Sequence, residues 1–212
     1  MNGVLIAQNM EHLKVARNIQ YLNNMNIPTM IVLHSSDVRK SIQPAQFNSI
    51  NNYHKEQGFP VSSLGIYVGY HALIEQGKVI ECRLPTDEGA HCNQQKNGKS
   101  INFQSLGACV SGDYDVEKMS PEDYDALRQQ VWAWQAKYNI PNSEVYFHRH
   151  FNTLKTCAGL LLTDEWLKGL LKQPNAVPSA TCVAEKAELE VELSTWKRAY
   201  QWIDDILKSK FK

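Results

Sequence analysis

Apolar residues recur at helical spacing through residues 9–24, where Leu13, Ala16, Ile19 and Leu22 fall on one face and predict a helix that Pro28 closes. TMIVLHSS (29–36) then predicts a buried strand running into a polar turn. Residues 43–59 predict a second helix, with Pro44 in its first turn and Gly58 as its stop. Residues 64–82 predict two strands joined at Gln76-Gly77, placing Tyr70 and His71 early in the first. A loop rich in Gly, Asn and Lys (85–103) leads to a strand over 105–112. Ser120-Pro121-Glu122-Asp123 is the sharpest local signal: an N-cap serine, proline at the first helical position, and acids that suit the helix dipole. The helix it opens runs to Tyr138 with Tyr124, Leu127, Val131 and Trp134 inward. A strand follows over 144–148, and Thr163 caps a helix ending near Lys172.

Strands interleaved with helices predict an α/β domain over residues 1–172. Residues 173–181 carry two prolines and predict a linker. Beyond it Leu189, Leu193, Trp196, Tyr200, Ile203 and Leu207 form an a/d stripe, so 182–212 predict a C-terminal amphipathic helix. That stripe can serve self-association or dock back on the main domain. Three heptads with two bulky aromatics favour docking.

Composition narrows the partners. The 212 residues hold 22 Lys plus Arg against 22 Asp plus Glu, and a phosphate-driven nucleic-acid binder needs a basic excess. No apolar run of about 18 residues is present, so no transmembrane helix is expected. The only apolar run near the start is residues 4–7, too short for a secretory signal, which predicts a product that begins in a cytoplasm. Five scattered cysteines (Cys82, Cys92, Cys109, Cys157, Cys182) without a CxxC pair argue against a disulfide framework.

The chemistry gathers in three segments: IVLHSS with His34, GYHALI with Tyr70 and His71, and FHRHFNTLKTCAG with His148, His150, Lys155 and Cys157. Each residue alone has a plain structural reading, as a hydrogen-bonded strand-end histidine, a half-buried aromatic or a core thiol. His148 and His150 share a face if their strand persists that far. Together, His34, His148 and Cys157 supply two imidazoles and a thiolate, a donor set that suits catalytic zinc with one position left for water. Zinc lowers the pKa of bound water and polarises a carbonyl.

The ordered series IVLHSS, GYHALI, GAHC (89–92), SLGACVSGD (105–113), SPEDYDAL and HRH…KTCAG resembles the zinc-dependent N-acetylmuramoyl-L-alanine amidases of the type 2 family. That family includes phage lysozymes that are amidases and the peptidoglycan recognition proteins. The resemblance spans roughly residues 29–163. It implies a mixed central β-sheet flanked by helices, one Zn2+ per chain held by His34, His148 and Cys157, and peptidoglycan as partner. It implies that Tyr70 and Lys155 are catalytic, stabilising the oxyanion. It places His91 in the substrate groove. His150 stands where the family carries an acid, which puts a second imidazole near the metal to tune the site or touch substrate, or leaves a surface histidine. The implied reaction is hydrolysis of the amide between N-acetylmuramic acid and the L-alanine of the stem peptide, by a phage endolysin stored in the host cytoplasm and acting on the wall after release. A non-catalytic recognition module on the same fold is the alternative, and Cys157 speaks against it because such modules typically lack that ligand. Two departures stand out: Ala158 replaces the usual proline, which loosens the ligand loop, and Cys109 stands where the muropeptide-recycling amidases carry a catalytic glutamate.

Overall fold

The computed structural model describes residues 25–173. The helix predicted over 9–24, the C-terminal helix over 182–212 and all but the first residue of the linker over 173–181 lie outside them. In chain order the elements are β1 (Met30–Ser35), α1 (Phe47–Glu56), β2 (Ala72–Glu75), β3 (Lys78–Glu81), β4 (Gln95–Lys96), β5 (Lys99–Ser100), β6 (Ser105–Val110), α2 (Pro121–Tyr138), β7 (Val145–Phe147) and α3 (Asp164–Leu171). Five strands form one sheet in the order β3-β2-β6-β1-β7, while β4 and β5 form a separate hairpin. Only the β2–β3 pairing within the main sheet is antiparallel. The sheet is therefore mixed, with helices packed on it, as expected.

Strand alternation assigns the two faces. Ile31 and Leu33 of β1, Ala72 and Ile74 of β2, and Leu106, Ala108 and Val110 of β6 pack with Leu127, Val131 and Trp134 of α2 and Leu167, Leu170 and Leu171 of α3. On the other face Leu73 and Cys109 pack with Val68, Cys82 and the α1 residues Phe47 and Ile50. His34 follows Met30 and Val32 onto this second face, opposite Cys109 of β6.

Local signals explain the boundaries. The Ser120 side chain accepts from Asp123 N at 3.2 Å, Pro121 opens α2, and Asn139 ends it in the left-handed region. Thr163 caps α3 in the same way through Trp166 N. Gln76 and Gly77 both have positive φ, which gives the β2–β3 hairpin a twist that matches its strands. Three boundaries differ from expectation. Helix α1 starts at Phe47, three residues beyond Pro44, because Gln46 is occupied with carbonyls of Val38 and Gln43 and with Glu75. Residues 64–71 form no strand, so Tyr70 and His71 precede β2 rather than lie in it. The expected loop at 85–103 contains the β4–β5 hairpin, turned by Asn97-Gly98, both at positive φ.

Buried His71 joins this framework to the solution pH. Its Nδ1 accepts from Gly107 N at 3.0 Å and its Nε2–H donates to Asp87 O at 3.1 Å, so the ring is held neutral. Burial, the largest influence, pushes its pKa down to about 4. The unfolded chain takes up a proton near the ordinary value of about 6.5, so this contribution is full above that pH and is lost as pH falls toward 4. The expected result in chelator-containing buffer is a urea midpoint that drops between pH 7.5 and pH 5, with His71 alone costing about 2 kcal/mol at pH 5. A midpoint independent of pH over that interval would show that His71 is not held neutral.

Candidate metal centre and active site

The site forms at the carboxyl ends of parallel strands, where open α/β sheets place their ligands. Leu33 of β1 pairs with Phe147 of β7, so the next residues, His34 and His148, emerge side by side with ring centroids 4.7 Å apart. The strand ends at Phe147, and residues 148–150 turn as a 3-10 helix. His148 and His150 therefore do not share a strand face. His150 turns away to Asp164, 3.4 Å from its Nε2, and to the rings of Tyr146 and Phe147.

Cys157 reaches the same point from the following loop. Its Sγ lies 3.6 Å from His34 Nδ1 and accepts from Ser35 N at 3.5 Å. Ligand atoms of His34, His148 and Cys157 all lie within 4.8 Å of one another. Zinc–sulfur and zinc–nitrogen bonds of about 2.3 and 2.0 Å at a tetrahedral angle put sulfur and nitrogen roughly 3.5 Å apart. The observed 3.6 Å matches that edge, so these residues fit a tetrahedral zinc with one position open. His34 is 2% exposed. Burial first, then His91 and His148, hold its pKa well below the ordinary value, which keeps the imidazole neutral as a ligand must be. Burial also lowers His148, with Lys155 adding to it.

Tyr70 stands beside His34 with centroids 5.0 Å apart. Burial, then Cys109 and Cys157, raise its pKa well above the usual phenol, so it remains a donor across the neutral range. Lys155 is exposed and adds to the lowering of His148, while burial pushes the Cys157 thiol up and the Lys155 charge opposes that rise. His91 is 8% exposed and lies behind His34, its Nδ1 3.0 Å from His34 Nε2.

The ligand loop is held by residues that sequence reasoning passed over. Arg149 N donates to Cys157 O at 2.6 Å, and its guanidinium reaches Gly159 O at 2.9 Å and Leu162 O. Asp115 accepts from Thr156 Oγ1 at 2.6 Å and Leu160 N at 2.7 Å. Gly159 has φ +115°, and a Cβ there would stand 2.4 Å from the Tyr114 Cβ. The loop is tied at both sides despite Ala158, so the looseness expected from the missing proline is countered. The His148-Arg149 dipeptide carried a usable signal, since a half-buried arginine beside a ligand needs carbonyl partners. Nothing in sequence pointed to Asp115.

A neutral two-imidazole, one-thiol cluster at the strand ends of a mixed sheet has the donor set of a metal centre. The N-acetylmuramoyl-L-alanine amidase family model matches residues 23–160, more than half of the chain, and the chain belongs to that family. Among solved structures it is similar to the N-acetylmuramoyl-L-alanine amidase LysC from Clostridium intestinale URNW, at 23% identity and TM-score 0.56, covering 69% of this chain and 86% of that one. It is similar to bumblebee PGRP-SA at 22% identity and TM-score 0.55, covering 72% and 89%. The Ph2119 endolysin from Thermus scotoductus MAT2119 bacteriophage Ph2119 matches at 22% identity and TM-score 0.53, covering 69% and 86%. At these identities the likeness is one of fold. No curated protein matches the chain.

Arg149 offers a direct test of the loop. Removing the guanidinium in Arg149→Met leaves two carbonyls without their donor, which is expected to cost about 2–4 kcal/mol in urea unfolding. A loss below about 0.5 kcal/mol would show that the loop is held by other means.

Proposed function

We propose that the protein is a zinc-dependent peptidoglycan hydrolase that cleaves the amide between N-acetylmuramic acid and the L-alanine of the stem peptide, in the manner of a phage endolysin. The observation that carries this reading is the His34–His148–Cys157 cluster, with donors at zinc-like spacing beside the phenol of Tyr70. His34 Nδ1, a ring nitrogen of His148 and the Cys157 thiolate would hold the metal. Zinc bound there supplies Lewis acidity toward the substrate carbonyl and lowers the pKa of water.

The chain's own residues supply the rest. Tyr70, kept protonated by burial, donates to the oxygen that gains negative charge as the amide carbon becomes tetrahedral. The exposed Lys155 adds a positive charge on the solvent side of the ligands, where a large polymer approaches. Together they favour the charge of the transition state over that of the bound substrate. Peptidoglycan is the partner of this reading, and zero net charge leaves recognition to the groove rather than to a general attraction. No helix among the described residues is long and apolar enough to cross a membrane, and wall access in this reading follows release from the cell. A recognition-only role is disfavoured by Cys157, whose half-buried thiol beside two imidazoles has no use in binding alone.

Digestion of purified cell walls tests the reading. New alanine amino termini are expected, abolished by chelation and restored by zinc. Cys157→Ser is expected to bind walls without cutting them, and Tyr70→Phe to lose about 100–1,000-fold in kcat while still binding. Absence of new alanine termini from every wall type, with zinc bound, would overturn the hydrolase and leave the recognition module.

A further inference from the structure

The His34–His91 contact is part of a longer chain of hydrogen bonds that sets which nitrogen of His34 faces the ligands. Ser105 Oγ lies 2.6 Å from Ile101 O, a carbonyl that can only accept, so the serine hydrogen is spent there. The remaining contact of Ser105 Oγ, to His91 Nε2 at 3.4 Å, must then be one in which the imidazole donates. With its hydrogen on Nε2, neutral His91 presents a bare Nδ1 toward His34 Nε2 at 3.0 Å, and His34 donates to it. His34 is left with its lone pair on Nδ1, the atom 3.6 Å from Cys157 Sγ.

The ring of His91 has little freedom to break this order. A Cβ at Gly89 or at Gly107 would stand 2.6 Å from His91 Cδ2, so the imidazole occupies a slot that two glycines leave open. Its backbone is fixed too, because Asn102 Oδ1 accepts from His91 N at 3.0 Å and Cys92 N at 2.9 Å. Ser105 and Gly107 lie on the same face of β6 as Cys109, two residues apart, so one strand supplies both the hydrogen-bond acceptor and the space beneath the ring.

We propose that His91 is a positioning residue that fixes the tautomer and orientation of His34 as a metal ligand, with Ser105 as the anchor of the relay, rather than a residue of the substrate groove. This rests on the reading of His34 as a ligand. Its burial behind His34 suits that role, and second partners of this kind typically change metal affinity by about 10–100-fold.

The test combines ring-nitrogen NMR with zinc competition against a chromophoric chelator. In the chelated wild-type protein, long-range 1H–15N spectra are expected to show His34 as the Nε2–H tautomer and His91 likewise, with both Nδ1 atoms bare. His91→Leu is expected to weaken zinc binding about 10–100-fold and to let the His34 tautomer become mixed. His91→Asn, whose side-chain oxygen can sit where Nδ1 was, is expected to recover most of the affinity. Observation of an Nδ1–H tautomer at His34 in the wild-type protein would overturn the proposal, as would a folded His91→Leu with wild-type zinc affinity. The NMR result stands even if the variants fail to fold. A protein that shows the expected tautomers and zinc binding but cuts no wall would refute the hydrolase reading and leave this inference intact.

Discussion

The parallel pairing of β1 on β6 is the constraint from which the site follows. It sets His34 opposite Cys109 and Val32 opposite Gly107, on the face turned away from α2 and α3. Side chains on a strand alternate, so a slip of one residue would send His34 into the apolar layer beneath Leu127 and Val131. The opposite layer guards against that slip: Ile31, Leu33, Leu106, Ala108 and Val110 are all nearly inaccessible, and none could turn outward without exposing an apolar side chain. The site thus takes its precision from that core, against which Cys157 also packs.

The same strand explains why a cluster of imidazoles fits so close to the sheet. Ser105, Gly107 and Cys109 are small and lie in a row on the site face of β6, while their neighbours on the other face are apolar core. The row makes room for the rings of His91 and Tyr70 and provides polar atoms where these need them. A larger side chain at Gly107 would collide with His91 at once. Stability and chemistry are therefore divided between the two faces of one strand.

Much of this was legible in the amino-acid order because the signals are local. The α2 cap at Ser120, the Gln76-Gly77 turn and the buried run of β1 each declare themselves within a few residues. His34, His148 and Cys157 were also recognisable as a donor set, although their proximity depends on long-range strand order. What escaped notice was of two kinds. Asn97-Gly98 marks a hairpin by the strongest short-range rule, yet its strands are only two residues each and carry no alternating pattern. Asp115 and Ser105 act through partners 41 or more residues away and through a ring 14 residues away, and no spacing within the chain encodes such contacts. His91 was visible as a residue, but a histidine that positions another cannot be told from one that meets a substrate until burial and partners are known.

The central claim is that His34, His148 and Cys157 form one mononuclear metal site with an open position. X-ray absorption at the zinc edge of the loaded protein measures that site directly. The account expects one zinc per chain, with a single sulfur shell at about 2.3 Å and the remaining nitrogen or oxygen neighbours at about 2.0 Å. A first shell without sulfur, or with more than one, would contradict it.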